Sequence, residues 1–348
     1  MLALTVKPRT PGSLAVLEVP DPEPGPGELL VEGVALGVCG TDVEISLGDY
    51  GTAPDGRERL VLGHESFGRV RTAPAGSGFK PGDLVVGVVR RPDPEPCPAC
   101  AQGEFDMCRN NRYTERGIEA RDGFASQLWS IETEYAVALD PSLSTVGMLM
   151  EPTTIVAKAW EQIDKINERS WHDPKRVLVT GAGPIGLLAA LLGTQRGLQV
   201  HVLDRSTTGT KPRMVSALGG EYHHGELDEV AKLVQPDVII EATGSPEVAL
   251  GVVNLVTPAG VVCMTSVTPV GHMVELDAGT LNRQVVLENR VVFGSVNANL
   301  RHYHAAAAAL AKADTAWLER LITRRVPLAQ AADAFERGED DIKVVIDL

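Results

Sequence analysis

Hydrophobic and polar positions follow different patterns in the two halves of the chain. Up to about residue 140, short β-like apolar runs at 29–38, 66–72 and 83–89 are separated by clusters of Pro and Gly, such as the stretch 20–27. Short apolar runs bounded by turn residues are typical of strands. We therefore predict an irregular β-barrel domain for the first part of the chain.

From about residue 175 the pattern changes to strand, glycine turn and helix. We predict a strand at 176–180, a turn at 181–186, a helix at 187–196 and further apolar strands at 199–203, 238–240, 260–264 and 291–293. Continuously apolar strands joined by helices indicate a parallel sheet with helices on both faces. An Ala-rich stretch after His302 and a last strand at 343–348 end the chain.

Length and charge restrict the class of protein. At 348 residues the chain exceeds the roughly 250 to 300 residues at which one core stops growing, so we expect two domains. A net charge of −14 without a long basic run argues against a nucleic-acid partner. The sequence shows neither a secretory signal nor an apolar run long enough to span a membrane, so we expect a cytoplasmic protein with no membrane partner. Five cysteines, three of them between 97 and 108, favour metal ligands or free thiols over disulfides.

The turn at 181–186 is a candidate dinucleotide site. Gly181 allows a tight turn, Gly183 lets the backbone approach a pyrophosphate, and Gly186 permits close packing of the helix, with Pro184 and Ile185 completing the motif. Such a motif alone is weak and also fits a turn that serves packing only. Here it follows an apolar strand and opens a helix, which is the context of a dinucleotide-binding unit.

The next strand ends at Asp204, 18 residues after Gly186, where a carboxylate would accept ribose hydroxyls. Asp204 favours NAD, because a carboxylate repels the 2′-phosphate of NADP, whereas the adjacent Arg205 would attract that phosphate. We predict NAD or NADP, with a lean to NAD, and include Ser206 in the site.

A second group of residues has the chemistry of a metal site. Cys39 opens Cys-Gly-Thr-Asp, His64 and Glu65 lie in Gly-His-Glu-Ser-Phe-Gly, and Glu151 precedes Pro152. Thiolate, imidazole and carboxylate are ligands that zinc takes, and a catalytic zinc keeps or frees one position for substrate. We predict a catalytic zinc on these four side chains, although Cys39 or His64 taken singly is more often a core residue. Four bound ligands would carry three negative charges, so we hypothesise that Glu65 and Glu151 exchange at the metal.

The order of these motifs resembles that of the zinc-dependent medium-chain dehydrogenases of the alcohol dehydrogenase superfamily, nearly from end to end. The stretches 113–118 (Tyr-Thr-Glu-Arg-Gly-Ile), 151–152 (Glu-Pro) and 294–297 (Gly-Ser-Val-Asn) resemble the glucose (aldose) dehydrogenases in particular. The resemblance implies an α/β protein with a GroES-like β-barrel catalytic domain at 1–160, completed by 298–348, and a Rossmann domain with a doubly wound parallel sheet at 161–297. It implies oxidation of an aldose, foremost D-glucose, at C1 to the aldonolactone with hydride transfer to nicotinamide.

The resemblance also implies roles for single residues. Thr41 would relay the proton beside the metal, where a local turn hydrogen bond is the alternative, and Glu65 would take part in catalysis. Several relatives place a histidine five residues after the cysteine, where this chain has Glu44, so the exit of the proton stays open. The implied edges of the cofactor cleft are Thr265, Ser266, Val267, Ser295, Val296 and Asn297.

For the sugar, the resemblance points to Glu115, Glu151 and Asn297, with Thr41 beside them. Carboxylates and amides suit a polyhydroxylated ring because each takes several hydrogen bonds. The alternative for Glu115 is an exposed loop acid without a role. His302 and His304 lie near Asn297 in sequence, without further support.

The cysteines at 97–108 depart from the family pattern. Cys97, Cys100 and Cys108 match the last three ligands of the superfamily's four-cysteine structural zinc lobe, but the first position holds Pro94, which cannot bind metal. Asp93 could supply the fourth ligand. A structural zinc and a lobe held by packing with three free thiols both remain open.

Two other functions remain open. The nearer is a polyol, threonine or other secondary-alcohol dehydrogenase on the same scaffold, and the more distant is a dinucleotide-binding regulatory protein with a dead site. We expect a homodimer or homotetramer, because an apolar outer strand near 286–295 would otherwise leave a sheet edge exposed.

Overall fold

The computed structural model of the chain describes residues 1–170, 173–268, 270–336, 338 and 340–348. Contacts divide the chain into two units, Met1–Glu151 with Asn297–Leu348 and Pro152–Val296. The first change of unit falls in the first turn of a helix at Met150–Asn167, whereas our predicted boundary at 160/161 lies within that helix. The helix is continuous through residue 151 and through residue 160. The apolar pattern along it therefore gives no sign of the position at which its contacts change from the first unit to the second.

The elements of the first unit up to this helix are mostly short strands. They are β1 (Leu2–Val6), β2 (Ala15–Glu18), β3 (Glu28–Gly37), α1 (Gly40–Leu47), β4 (Leu60–Val61), β5 (Glu65–Thr72), β6 (Leu84–Gly87), β7 (Arg90–Arg91), β8 (Thr114–Arg116), β9 (Ala120–Arg121), β10 (Leu128–Glu132) and β11 (Ala136–Ala138). Short 3-10 helices lie at Cys100–Gln102, Phe105–Met107, Thr133–Tyr135, Pro141–Leu143 and Gly147–Leu149.

The remaining elements alternate between helix and strand until the chain returns to the first unit. They are α2 (Met150–Asn167), β12 (Arg176–Thr180), α3 (Pro184–Gln195), β13 (Gln199–Leu203), α4 (Thr210–Ala217), β14 (Glu221–His223), α5 (Leu227–Val234), β15 (Val238–Glu241), α6 (Pro246–Gly251), β16 (Val261–Met264), α7 (Ala278–Leu287), β17 (Val291–Gly294), α8 (Leu300–Ala311), α9 (Thr315–Leu321), β18 (Ile322–Pro327) and β19 (Lys343–Asp347), with 3-10 helices at Val252–Asn254 and Leu328–Phe335.

The first unit is built around a sheet in the order β11-β6-β5-β3-β19-β18, with β10 also paired to β3. Fully buried side chains of Leu29, Ile131 and Phe124 belong to its core. Strand β3 is antiparallel to both β5 and β19, with the pairs Gly37↔Glu65 and Val345↔Gly37. The end of β3 therefore meets the beginning of β5 and lies beside the terminal strand.

The second unit is a parallel six-stranded sheet in the order β14-β13-β12-β15-β16-β17. Its central strands are continuously buried, as the apolar pattern predicted, with Leu178, Ile239 and Val262 in one core cluster. The order reverses between β12 and β15, and parallel α/β sheets bind ligands at the carboxyl ends of the strands at such a point. The α/β fold class with a Rossmann-type sheet is thus confirmed. No helix in the described ranges is long and apolar enough to cross a membrane.

The helix after the glycine turn begins earlier than we predicted. Helix α3 begins at Pro184, with Gly183 as its N-cap, instead of at position 187. Proline is favoured in the first turn of a helix, where its missing N–H is not needed and its fixed φ suits the helix. The second half of the glycine motif is therefore helical, and the free N–H groups of the helix start within the motif.

Candidate metal centre and dinucleotide site

Three of the predicted metal ligands converge in the first unit. One ligand atom from each of Cys39, His64 and Glu65 lies within 4.8 Å of the others. Cys39 follows β3 and is the N-cap of α1, while His64 and Glu65 stand where β5 begins. The antiparallel pairing of β3 with β5 brings these distant positions together.

Asp42 holds two of these ligands in place. Its Oδ2 accepts the backbone N–H of Cys39 at 2.9 Å, and its Oδ1 lies 3.3 Å from His64 Nδ1. Within the described part of the chain, neither Asp42 Oδ1 nor His64 Nδ1 has a well-directed hydrogen bond. Burial alone would lower the pKa of His64, but the carboxylate of Asp42 and the thiol of Cys39 outweigh it and raise the pKa well above its usual value. A carboxylate on one imidazole nitrogen orients the ring so that the other nitrogen faces a metal. The donor set therefore fits a divalent metal ion.

Lys343, which we did not predict, is the charge partner of Glu65. Its Nζ donates to both carboxylate oxygens of Glu65 at 2.6 Å and to the carbonyl of Val38 at 3.1 Å. Burial would lower the pKa of Lys343, but the charges of Glu65 and Cys39 raise it. Gly37 is required here, because a Cβ at that position would overlap the carboxylate of Glu65. The sequence shows only that this lysine opens the apolar strand Lys-Val-Val-Ile, which does not identify its partner.

Glu151 and Thr41 both belong to the first unit and lie in the first turns of α2 and α1. Glu151 is half-buried in the first turn of α2 and is not part of the close group of three ligands. Burial raises its pKa to about 7, with His64 opposing and Glu65 adding to the shift. Thr41 is half-buried in the first turn of α1, two residues beyond Cys39. The exchange of Glu65 and Glu151 remains a prediction.

Two of the predicted sugar ligands are bonded to each other. Asn297 Nδ2 donates to Glu115 Oε1 at 2.5 Å, and Arg90 Nε donates to the same oxygen at 3.0 Å. Glu115 is only 5% exposed, so the alternative of an exposed loop acid is wrong. Asn297 has a left-handed backbone, with φ of 61°, which asparagine tolerates better than most residues. Arg90 is a further residue that we did not predict. Of the two nearby histidines, His302 is buried, with Nδ1 accepting the Asn299 N–H, and His304 is exposed.

The three cysteines of the predicted lobe also converge. Ligand atoms of Cys97, Cys100 and Cys108 lie within 4.8 Å of one another. Backbone N–H groups of Arg109 and Cys100 lower the pKa of Cys97 to about 6, whereas burial raises the pKa of Cys100 to about 11. A thiolate that accepts backbone N–H groups is suited to a metal.

Asp93 is not part of that cysteine group. Its carboxylate accepts hydrogen bonds from Asn110 Nδ2 at 2.7 Å, the Glu95 N–H at 2.9 Å and Arg112 Nε at 3.3 Å. These contacts direct Asp93 away from the role of fourth ligand that we considered. A structural zinc on the three cysteines stays a prediction.

The glycine turn of the second unit has the form expected of a phosphate cradle. Gly181 has a positive φ of 93°, and Gly186 lies so close to the carbonyl of Gly181 that no Cβ would fit. Gly183 faces open space, because a Cβ there would meet nothing within 4 Å. The first N–H groups of α3 without a partner inside the helix, at Ile185 and Gly186, begin beside this space. These features fit an anionic group at the helix start.

Asp204 connects the glycine turn to the end of β13. Its Oδ2 accepts the N–H of Ala182 at 2.7 Å, and its Oδ1 accepts the N–H of Ser206 at 3.0 Å. Burial would raise the pKa of Asp204, but these N–H groups and the ammonium of Lys211 lower it. Lys211 Nζ lies 3.3 Å from Asp204 Oδ1 and was not predicted, while Arg205 is exposed. A cation therefore stands next to the acid that we took as favouring NAD.

The other predicted cofactor residues follow β16 and β17, whose carboxyl ends lie on the same edge of the sheet as the glycine turn. The buried carboxylate of Glu241 accepts the hydroxyl of Ser266, and the Thr265 N–H donates to the Glu241 carbonyl at 2.9 Å. Ser295 is buried, its hydroxyl unbonded among the described residues, and Val267 and Val296 are exposed. Glu241 holds this edge of the sheet together through these hydrogen bonds. We did not predict it, because an acidic residue at the end of an apolar strand forms no distinctive sequence pattern.

Comparison with known proteins gives matches over the whole chain. Residues 25–141 match the alcohol dehydrogenase GroES-like domain, and residues 144–348 match the glucose dehydrogenase C-terminus. The chain is 39% identical to the glucose 1-dehydrogenase of Methanocella arvoryzae, covering 100% of this chain and 99% of that protein. It is also 39% identical to the glucose 1-dehydrogenase of Thermoproteus tenax, covering 99% of each.

Among solved structures, the chain is similar to the glucose dehydrogenase of Haloferax mediterranei in complex with NADP, Zn and gluconolactone. The TM-score is 0.92 at 33% sequence identity, with 100% of this chain and 99% of that chain covered.

Proposed function

The chain belongs to the glucose dehydrogenase family of the zinc-dependent medium-chain dehydrogenases, and we propose that it oxidises D-glucose at C1 to the lactone with NAD(P). One observation carries this proposal for the chain itself. The thiol of Cys39, the imidazole of His64 and the carboxylate of Glu65 converge in a buried part of the first unit. A regulatory protein with a dead site would have no need to keep this set of ligands.

We propose that Cys39, His64 and either Glu65 or Glu151 hold the catalytic zinc. A zinc ion there would act as a Lewis acid on the oxygen of the C1 hydroxyl. Asp42 keeps the His64 ring oriented, and Lys343 holds Glu65 while that carboxylate is not needed as a ligand.

The remaining tasks fall to side chains of the first unit. We propose that the Thr41 hydroxyl takes the proton of the C1 hydroxyl and passes it onward. Glu115 and Asn297 would bind sugar hydroxyls, and Arg90 holds the Glu115 carboxylate in position through its ion pair. Because carboxylate and amide groups that bind several hydroxyls gain those contacts only with a polyhydroxylated substrate, this arrangement favours a sugar over simple alcohols. That is the physical reason to prefer a sugar over ethanol.

In the second unit, we propose that the glycine turn binds the pyrophosphate of a dinucleotide, whose nicotinamide accepts the hydride. Asp204 would accept the ribose hydroxyls, as NAD binding requires. Lys211 beside it offers a positive charge to a 2′-phosphate, which supports use of NADP as well. We keep NAD as the favoured cofactor by a small margin.

The test is to follow the absorbance of reduced cofactor with D-glucose, D-galactose, D-xylose, sorbitol and ethanol, each with NAD and with NADP. We expect oxidation of D-glucose that a chelator abolishes and zinc restores. Turnover of sorbitol or ethanol but of no aldose would refute the sugar assignment and leave the zinc and dinucleotide sites standing. Dinucleotide binding without any turnover would overturn the enzyme assignment.

We also propose that the protein is a homo-oligomer. Strand β17 is at the edge of the parallel sheet, and Val286 and Leu287 of the preceding helix are each 62% exposed. An open sheet edge flanked by exposed apolar side chains is a common pairing surface. Sedimentation equilibrium would distinguish a dimer or tetramer from a monomer. A cytoplasmic location is proposed on the five free thiols.

A further inference from the structure

A third group of metal-binding side chains lies in the second unit, at the edge of the parallel sheet. His201 of β13 is paired with Glu221 of β14, and His223 stands two positions further along β14. Side chains of directly paired residues and of positions two apart share one face of a sheet. His201, Glu221 and His223 are thus together on one face, and β14 is the outermost strand.

Their ligand atoms are spaced as around a common ion. His201 Nδ1 lies 3.0 Å from His223 Nε2 and 3.6 Å from Glu221 Oε2, and His223 Nε2 lies 3.9 Å from Glu221 Oε1. Ligands bound tetrahedrally at about 2.1 Å from zinc stand about 3.4 Å apart, in the middle of this range. The carboxylate is too far from either ring nitrogen for a hydrogen bond, yet it completes the triangle.

The two imidazoles can present lone pairs to one ion. A neutral imidazole has a proton on one ring nitrogen and a lone pair on the other. Without a metal, one ring donates a hydrogen bond to the other across the 3.0 Å between His201 Nδ1 and His223 Nε2. When each ring carries its proton on its other nitrogen, the lone pairs of these two atoms face the same point.

The site is accessible from solvent on one side. The side chains of His201 and His223 are 14% and 8% exposed, whereas that of Glu221 is 64% exposed. Two packed imidazoles and one exposed carboxylate at the surface give a pair of buried ligands and an entry path. Imidazole and carboxylate together suit borderline divalent cations such as Zn²⁺ and Co²⁺.

We propose that His201, His223 and Glu221 form a metal site for a divalent transition-metal ion of the zinc class, separate from the catalytic ligands and from the cysteine lobe. An ion there joins β13 to β14. The Asp204 N–H already donates to the His223 carbonyl at 3.2 Å, so the ion also holds the strand end from which Asp204 meets the glycine turn. The proposal does not depend on the sugar assignment.

Cobalt is the probe that tests this site in the full-length protein. Co²⁺ on Cys39 or on the cysteine lobe gives a thiolate-to-metal charge-transfer band in the near ultraviolet, whereas Co²⁺ on two imidazoles and a carboxylate gives only weak visible bands. We expect wild-type protein to bind one more Co²⁺ per chain than H201Q or H223Q, with a difference spectrum that lacks the thiolate band. We expect E221A, which changes an exposed side chain, to bind this ion at least about tenfold more weakly.

The matched control is H224Q, which removes the exposed neighbour of His223 and keeps the site. It should bind the same number of ions as wild type. Thermal unfolding in excess chelator checks that H201Q and H223Q are folded, and E221A serves if either is not. Equal stoichiometry and equal affinity in E221A and wild type would overturn the proposal, as would a difference spectrum that contains the thiolate band. The two histidines would then be a plain hydrogen-bonded pair.

Discussion

Lys343 is the only charged partner of the buried Glu65 carboxylate among the contacts in the described part of the chain. Replacing Lys343 with methionine removes that charge. Lys343 Nζ lies 2.6 Å from each oxygen of Glu65, and the two side chains are 3% and 2% exposed. Methionine keeps most of the aliphatic stem, so the change removes the ammonium with little loss of packing. Leaving one member of a buried ion pair without its partner costs about 3–5 kcal/mol. We expect the free energy of unfolding of metal-free protein to fall by about that amount.

The assay is urea unfolding at pH 7 in the presence of a chelator. The matched control is K165M, because Lys165 pairs with Glu161 at the surface with 53% and 28% of the two side chains exposed. An exposed pair of this kind contributes about 0.3–0.5 kcal/mol, so the control should be nearly neutral. The double variant E65Q/K343M should recover part of the loss, with a coupling energy of at least about 1.5 kcal/mol between the two positions.

The zinc-loaded protein gives a second comparison. If Glu65 binds the metal, a dication replaces the missing ammonium, and K343M should lose less stability with zinc than without it. The reasoning is refuted if K343M costs no more than K165M, or if the coupling between the two positions is near zero. Either result would mean that the Glu65 carboxylate is solvated or neutral in the folded protein.

Three further predictions concern catalysis, cofactor choice and pH. T41A should lower kcat for D-glucose by about 10²-fold or more while T41S keeps most of it, because the hydroxyl carries the proton; steady-state rates for T41A within a few-fold of wild type would exclude Thr41 from the relay. K211A should raise KM for NADP more than KM for NAD, because Lys211 offers its charge to the 2′-phosphate, and equal changes in both constants would contradict that role. Burial would raise the pKa of Glu132, but Arg91 and other arginines hold it at about 2, below its usual 4.5. Its stabilising contribution is about 1–2 kcal/mol after allowance for partial exposure. This contribution is therefore present above pH 4.5 and is lost as pH falls towards 2. If urea unfolding shows that E132Q lowers the free energy of unfolding as much at pH 2.5 as at pH 7, the result would contradict this.

The second unit was the more predictable part of the fold. Strands at 176–180 and 199–203 were placed correctly because a buried parallel strand is a continuous apolar run, and the run itself carries the information. The glycine turn was recognisable because the residues that form it are consecutive in the sequence. The start of α3 was misplaced because a proline after a glycine reads as a turn, although it is also a good first residue of a helix.

In the metal centre, the residue types were predictable and their partners were not. Cys39, His64 and Glu65 belong to short motifs, so their chemistry could be inferred before any contact was known. Lys343 is 278 residues from Glu65 along the chain, and no local pattern marks a lysine as the partner of a distant acid. The same holds for Arg90 with Glu115 and for the histidines of β13 and β14.

By itself, the sequence determined the two kinds of architecture, the dinucleotide turn and the chemical types of the metal ligands, since these depend on local periodicity and on residues a few positions apart. Only the tertiary structure decided which charges neutralise Glu65 and Glu115, that the Asp93 carboxylate bonds to Asn110 and Arg112 outside the close group of three cysteines, and that His201, Glu221 and His223 share one face. The reason is strand pairing. Register between strands brings together side chains that are far apart in the chain, and a single-residue change of register would turn each of them to the opposite face.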